Sequence, residues 1–185
     1  MRTSCGGRWP RMIRRHWPFI AAVALQALIV AAVPAGRAWT LLTGRTVFLK
    51  TAPVDPYDIL SGYHVVISYE ISALDRLPGN PALKRGEHVY VVLTPGQDGF
   101  WHPVTAGRKR PETVAPDEVV IRGARGKYGR IDYGIEHYFI PEGKGEEIAG
   151  RLRAARDTAR AEVKVDALGH AALVRLHVGG VTYDY

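Results

Sequence analysis

Tyr63-His64-Val65-Val66-Ile67-Ser68-Tyr69-Glu70-Ile71 is the stretch on which the architecture turns. Apolar or aromatic side chains stand at every odd position, and three of the four even positions are polar. A period of two puts Tyr63, Val65, Ile67, Tyr69 and Ile71 on one face of a strand, against a core, with the other face half wet. Downstream, Ser72 to Gly86 holds three breakers (Pro78, Gly79, Pro81) and reads as a long connection. His88 to Thr94 is a second strand. Pro95 to Gly99 carries an Asp-Gly turn, and Phe100 to Val104 returns as a hairpin partner. Upstream, Arg45 to Thr51 alternates as a first strand.

Further along, Thr105 to Pro116 reads as a basic, proline-containing loop. Glu118 to Arg122 and Arg130 to Ile140 read as strands, with Pro141 stopping the second. Glu142 to Arg160 is the one amphipathic helix expected after the strands. Ile148, Leu152, Ala155 and Ala159 recur along it at helical spacing, and Glu147 faces Arg151 four residues on. Ala161 to Asp166, His170 to Val178 and Val181 to Tyr185 complete the strands. Short hairpin connections favour antiparallel pairing. The expected class is mainly β (α+β), as a small barrel or a two-layer sheet with one helix.

In front of this region Trp17 to Val33 is apolar apart from Gln26. Seventeen helical residues span roughly 25 Å, at the lower limit for a bilayer core of about 30 Å. Trp17 and Trp39 bracket the run as interfacial aromatics would, and Pro34 argues against the helix continuing past Val33. Arg2, Arg8, Arg11, Arg14 and Arg15 precede the run, whereas the first acidic residue is Asp55. The positive-inside rule therefore keeps the tail in the cytoplasm and sends the rest across. The chain divides into a basic cytoplasmic tail (1–16), a transmembrane helix (17–38), a linker (39–45) and an extracytoplasmic β-rich domain (46–185). A cleaved secretory signal ending near Val33-Pro34-Ala35 is the alternative, and it delivers the domain to the same side.

The net charge of +7 is topogenic rather than a nucleic-acid footprint. Five of the 25 Lys and Arg fall in the first fifteen residues, leaving 20 against 18 acids. The lone cysteine, Cys5, lies in the tail, so the exported part has neither a disulfide nor a thiolate metal site. The seven histidines show no ligand spacing, and no metal or cofactor is expected.

Three constellations carry possible chemistry. Asp132 and Glu136 share a face of their expected strand, as a general acid/base pair would, or as solvated edge charges would. Arg122-Gly123-Ala124-Arg125-Gly126-Lys127-Tyr128-Gly129-Arg130 offers four cations and exposed amides to an anionic lipid or polymer, but without the spacing of a phosphate-binding P-loop. Ser61 and Ser68 are the serines of the strong strand region, but neither has the context of a known nucleophile.

Two stretches, Thr46 to Ser72 and Ile131 to Gly143, resemble the bacterial family named for its GDYXXLXY motif, and the likeness extends to Ala161–Asp166. Gly62 and Tyr69 match the motif. Tyr63 stands where it has Asp, His64 where it has Tyr, and Ile67 where it has Leu. The resemblance implies a single-pass membrane protein of unknown activity that accompanies multi-spanning membrane proteins, and no catalytic residue carries over. The expectation is a bacterial inner-membrane protein whose non-catalytic domain binds or supports a multi-spanning partner. Tyr63, Tyr69, Glu70, Tyr133, Glu136, Tyr138 and Glu142 are the candidate interaction surface. A cell-envelope hydrolase using Asp132/Glu136 or a serine is the enzymatic alternative.

Overall fold

The computed structural model describes residues 11–52, 60–61, 64–79, 81–139, 150–151 and 159–184. The chain forms two compact units, Met1–Ala38 and Trp39–Tyr185. Helix α1 covers Arg11–Thr43 and contains Pro18 and Pro34. It does not stop at Val33. It bends by 43° between His16–Ala32 and Pro34–Thr43 and carries on. Proline lacks the amide that the preceding turn would use and crowds the carbonyl four residues back, so it kinks a helix that flanking residues continue. The expected linker 39–45 is therefore helical as far as Thr43. Thr43 Oγ1 donates to the Trp39 carbonyl, and the Gly44 amide donates to the Thr40 carbonyl at 2.9 Å. A side chain at Gly44 would meet that carbonyl at 2.5 Å, so only glycine lets the chain turn out of the helix here.

The β unit is built from twelve strands among the described residues, all paired antiparallel. Five form one sheet, in the order β12 (Val181–Asp184), β11 (Ala171–Val178), β10 (Arg160–Val165), β1 (Arg45–Ala52) and β4 (Ser68–Tyr69). Four form a second: β6 (Trp101–Gly107), β5 (His88–Pro95), β7 (Val119–Arg125) and β8 (Ile131–Asp132). β2 (Leu60–Ser61), β3 (His64–Val66) and β9 (His137–Phe139) make a small third sheet. Inward residues of the two larger sheets merge into one core: Val47, Leu49 and Val163 from the first, Val91, Leu93 and Ile121 from the second. Each such aliphatic side chain contributes about 1.5–3 kcal/mol relative to an exposed one. The antiparallel, β-rich α+β class expected from the sequence is the one formed.

Two of the long strands expected from the sequence are broken. The 63–71 stretch gives β3, then β4 in a different sheet, then a 3-10 turn at Glu70–Ser72. Ile67 sits at the crossover, its amide donating to the Glu136 carbonyl at 2.7 Å. Ile67, Ser68 and Tyr69 are consecutively buried, which alternation on one sheet forbids. The 130–140 stretch likewise gives β8 and β9 in different sheets, joined through Gly134 at φ +80°. Positive φ ends the pleat, and glycine reaches it without a Cβ penalty.

Smaller departures have local causes. β6 runs on to Gly107 past a bulge that leaves Val104 without a cross-strand partner and 43% exposed. β7 extends to Arg125 because Ala124 pairs with both His88 and Asp132. Most of the expected 142–160 helix lies outside the described residues. Gly150 and Arg151 are helical, but Ala159 is not, and Arg160 already belongs to β10. Ala159 is fully buried and its carbonyl accepts from the Thr51 amide, which ties it to β1 instead.

Candidate functional site

The two broken stretches meet each other. β3 and β9 pair in the register His64↔Phe139, Val65↔Tyr138, Val66↔His137. Below that pairing two tyrosines cross. Tyr69 Oη, from the first stretch, donates to the Ile135 carbonyl of the second at 2.7 Å. Tyr133 Oη, from the second, donates to the Ile71 carbonyl of the first, also at 2.7 Å. The residues are 1% and 5% exposed, so each ring fills core volume while its hydroxyl pairs a buried main-chain acceptor. With the Ile67–Glu136 bond this makes a three-point clasp between segments more than sixty residues apart.

Glu136 closes the turn above the clasp. Its carboxylate accepts from the amides of Tyr133 and Gly134, the latter at 2.8 Å. Burial pushes its pKa above the ordinary glutamate value. Those amide bonds pull it back, and the nearby Asp132 charge adds to the rise. Burial also pushes the Tyr133 phenol far up, with the Glu136 charge reinforcing it.

Beside the clasp a cleft of about 800 Å³ opens. Its floor includes Val66, Ile67, Ser68 and Ser72, and one wall is the β7–β8 hairpin tip. That tip is a 3-10 turn at Lys127–Gly129 in which Tyr128 adopts φ +56° and stands 93% exposed. Arg85 and Gly86 also line it, brought in because the Gly86 amide donates to the Arg125 carbonyl at 2.8 Å. Asp132 and Glu136 line the cleft together with Arg125, Lys127 and Arg130. Sequence reading missed Arg85 and Ser72. Both come from the breaker-rich connection, and only a long-range fold places them here.

The candidate residues from sequence separate into distinct places. Tyr69 and Tyr133 are core residues with satisfied hydroxyls and have no surface to offer a partner. Glu70 is half-buried and pairs with Lys50 Nζ at 3.2 Å, lining a smaller pocket with Trp101 and His102. Tyr138 is paired through its backbone in β9, and its side chain is outside the described structure. Tyr63 and Glu142 lie outside the described residues. Asp132 and Glu136 do not share a strand face, because β8 ends at Asp132; they meet only by lining the same cleft.

No group of three His, Cys, Asp or Glu among the described residues is placed to hold a metal ion. His170 Nδ1 lies 3.3 Å from Asp166 and His177 Nδ1 lies 2.9 Å from Thr182, each engaged locally. Ser68 and Ser72 are buried, and neither hydroxyl has a hydrogen-bond partner among the described residues. The side chain of Ser61 is outside the described structure.

Fold and cleft together define an antiparallel β-rich α+β protein preceded by a long apolar helix. The chain belongs to the family described as GDYXXLXY protein, whose model matches residues 26–176. No curated protein and no solved structure matches it. Two positions aligned with the eponymous motif, Ile67 and Tyr69, are buried at the crossover and in the clasp.

Proposed function

We propose that this chain is a single-pass protein of a bacterial inner membrane. In this reading the arginine-rich tail is cytoplasmic and the β unit works outside, as a non-catalytic binding or accessory domain for a multi-spanning membrane protein. One observation carries the reading: the large apolar side chains of α1 are exposed, with Trp17 68%, Phe19 69%, Leu28 67% and Val30 67%. A helix apolar around its whole circumference needs an apolar medium or partner on every side, and a bilayer supplies one. No single helix among the described residues is long and apolar enough to cross a membrane, but the bent pair His16–Ala32 and Pro34–Thr43 meets length and composition together.

A non-catalytic role is supported by the state of the candidate groups. Ser68 and Ser72 have no hydrogen-bond partner among the described residues, and Glu136 is engaged by two backbone amides. In this reading the partner surface includes Glu70, which is half-buried and paired with Lys50. Affinity capture of the full chain from mild detergent, after crosslinking, should return a stoichiometric membrane partner. Recovery of the chain alone counts against the reading. A periplasm-dependent reporter fused at Tyr185 should be active, and activity of a cytosol-dependent reporter there instead would overturn the topology.

A second reading has one observation in its favour: Glu136, with its raised pKa, lines a cleft with a second carboxylate, as the acid of a cell-envelope hydrolase would. Turnover of peptidoglycan fragments by the parent, lost in Glu136→Gln, would favour it. No turnover by the parent removes it.

A further inference from the structure

We propose that the cleft beside the tyrosine clasp is a binding site for a phosphate-bearing ligand. The inference does not depend on the tethering reading. Four cations converge there from separate parts of the chain: Arg85 from the long connection, Arg125 from the end of β7, and Lys127 and Arg130 from the hairpin tip. Arg125 is held in place because its guanidinium donates to the Leu83 carbonyl. Arg85, Lys127 and Arg130 have no ion-pair partner among the described residues, although Asp132 and Glu136 line the same cleft. Four cations against two carboxylates leave the site positive, and low-dielectric walls focus such a field.

The second observation is on the floor. Ser68 and Ser72 are each 2% exposed, and their Oγ atoms have no hydrogen-bond partner among the described residues. A buried hydroxyl without a partner is disfavoured unless a ligand or ordered water completes it. Two such hydroxyls lining the same cleft as four cations match what a phosphate takes: charge-assisted donors and neutral O–H donors to its oxygens. A cleft of about 800 Å³ has room for more than one inorganic ion, so an organic phosphate fits it.

Arg45, where α1 hands over to β1, donates to the carbonyls of Pro116 and Glu118 just before β7. The cleft lies at the opposite ends of these strands, lined by Ser68, which pairs with Ala52 of β1, and by Arg125 at the end of β7. Seven residues of extended chain separate the two ends, roughly 23 Å. The shared chemistry is a phosphate, carried either by a soluble ester or by a lipid headgroup.

The test uses the full chain in nanodiscs of neutral lipid, with inorganic pyrophosphate as the probe followed by calorimetry. Saturable binding that weakens roughly tenfold or more in Lys127→Glu and in Arg130→Glu supports the site. Ser72→Ala, which removes a hydroxyl the free protein leaves unpaired, should keep the parent's melting temperature while weakening pyrophosphate severalfold. Absence of binding by the parent, or binding unchanged in both charge reversals, overturns the proposal. Phosphatidylglycerol vesicles that displace pyrophosphate through the same residues assign the phosphate to a headgroup. Failure of the vesicles to displace it assigns a soluble ester.

Discussion

Replacing Tyr133 with Phe, and separately Tyr69 with Phe, isolates the clasp, because each change deletes one oxygen and keeps the ring. The lost bond is short (2.7 Å in both cases), and the carbonyl left behind, Ile71 or Ile135, is inside the core. A net hydrogen bond is worth about 0.5–1.5 kcal/mol, and stranding a buried acceptor raises the cost to about 1–3 kcal/mol for each variant. For a unit of this size that is a fall of roughly 2–10 °C in Tm. The two bonds hold the same pair of segments, so the double variant should depart from additivity by about 0.5 kcal/mol or more. Urea unfolding of the full chain in detergent, followed by tryptophan fluorescence, measures all three. Single variants within about 0.5 kcal/mol of the parent, the range of an ordinary surface substitution, would refute the reasoning. Alkaline pH supplies an independent check. Burial raises the Tyr133 phenol pKa, so the unfolded state loses its proton first, at a pH of about 10. The folded state then holds more protons than the unfolded one, and stability falls as pH climbs above that value. Tyr133→Phe should flatten this alkaline slope.

Asp166 is buried and accepts from Thr40 Oγ1 at 2.7 Å and from the amides of Leu168 and His170, both at 2.9 Å. Asp166→Ala should cost about 2–4 kcal/mol in the same unfolding assay. Burial alone would raise this carboxyl's pKa, but the Thr40 and amide bonds lower it on balance, so its contribution is present at neutral pH and is lost as pH falls through the depressed folded value. Glu136 has the opposite sign. Its raised folded pKa makes parent stability decline from the unfolded glutamate value of about 4.3 up to the folded one, and Glu136→Gln should remove that decline in urea titrations at mildly acid and neutral pH. Gly123→Ala would put a methyl 2.4 Å from Ile131 Cγ2 and 2.9 Å from the Tyr133 ring, an overpacking worth about 1–3 kcal/mol. A variant as stable as the parent would mean that the clasp yields more easily than its packing indicates.

The sequence determined the things that depend on neighbours along the chain. Alternation at Arg45 to Thr51 and His88 to Thr94, the Asp-Gly turn and the apolar run from Trp17 are local patterns, and β1, the β5–β6 hairpin and α1 follow them. Even Pro34, a local signal, was outweighed only by degree: the helix bends there and does not end. Tertiary structure decided where alternation stops meaning one sheet. Ile67 and Gly134 each pass the chain from one sheet to another, a choice set by the Ile67–Glu136 bond and by the tyrosines that span more than sixty residues. The cleft is of the same kind. Arg85, Arg125 and Ser72 carry no mutual pattern in sequence, because nothing in the spacing of residues encodes a contact made by the pairing of distant main-chain groups.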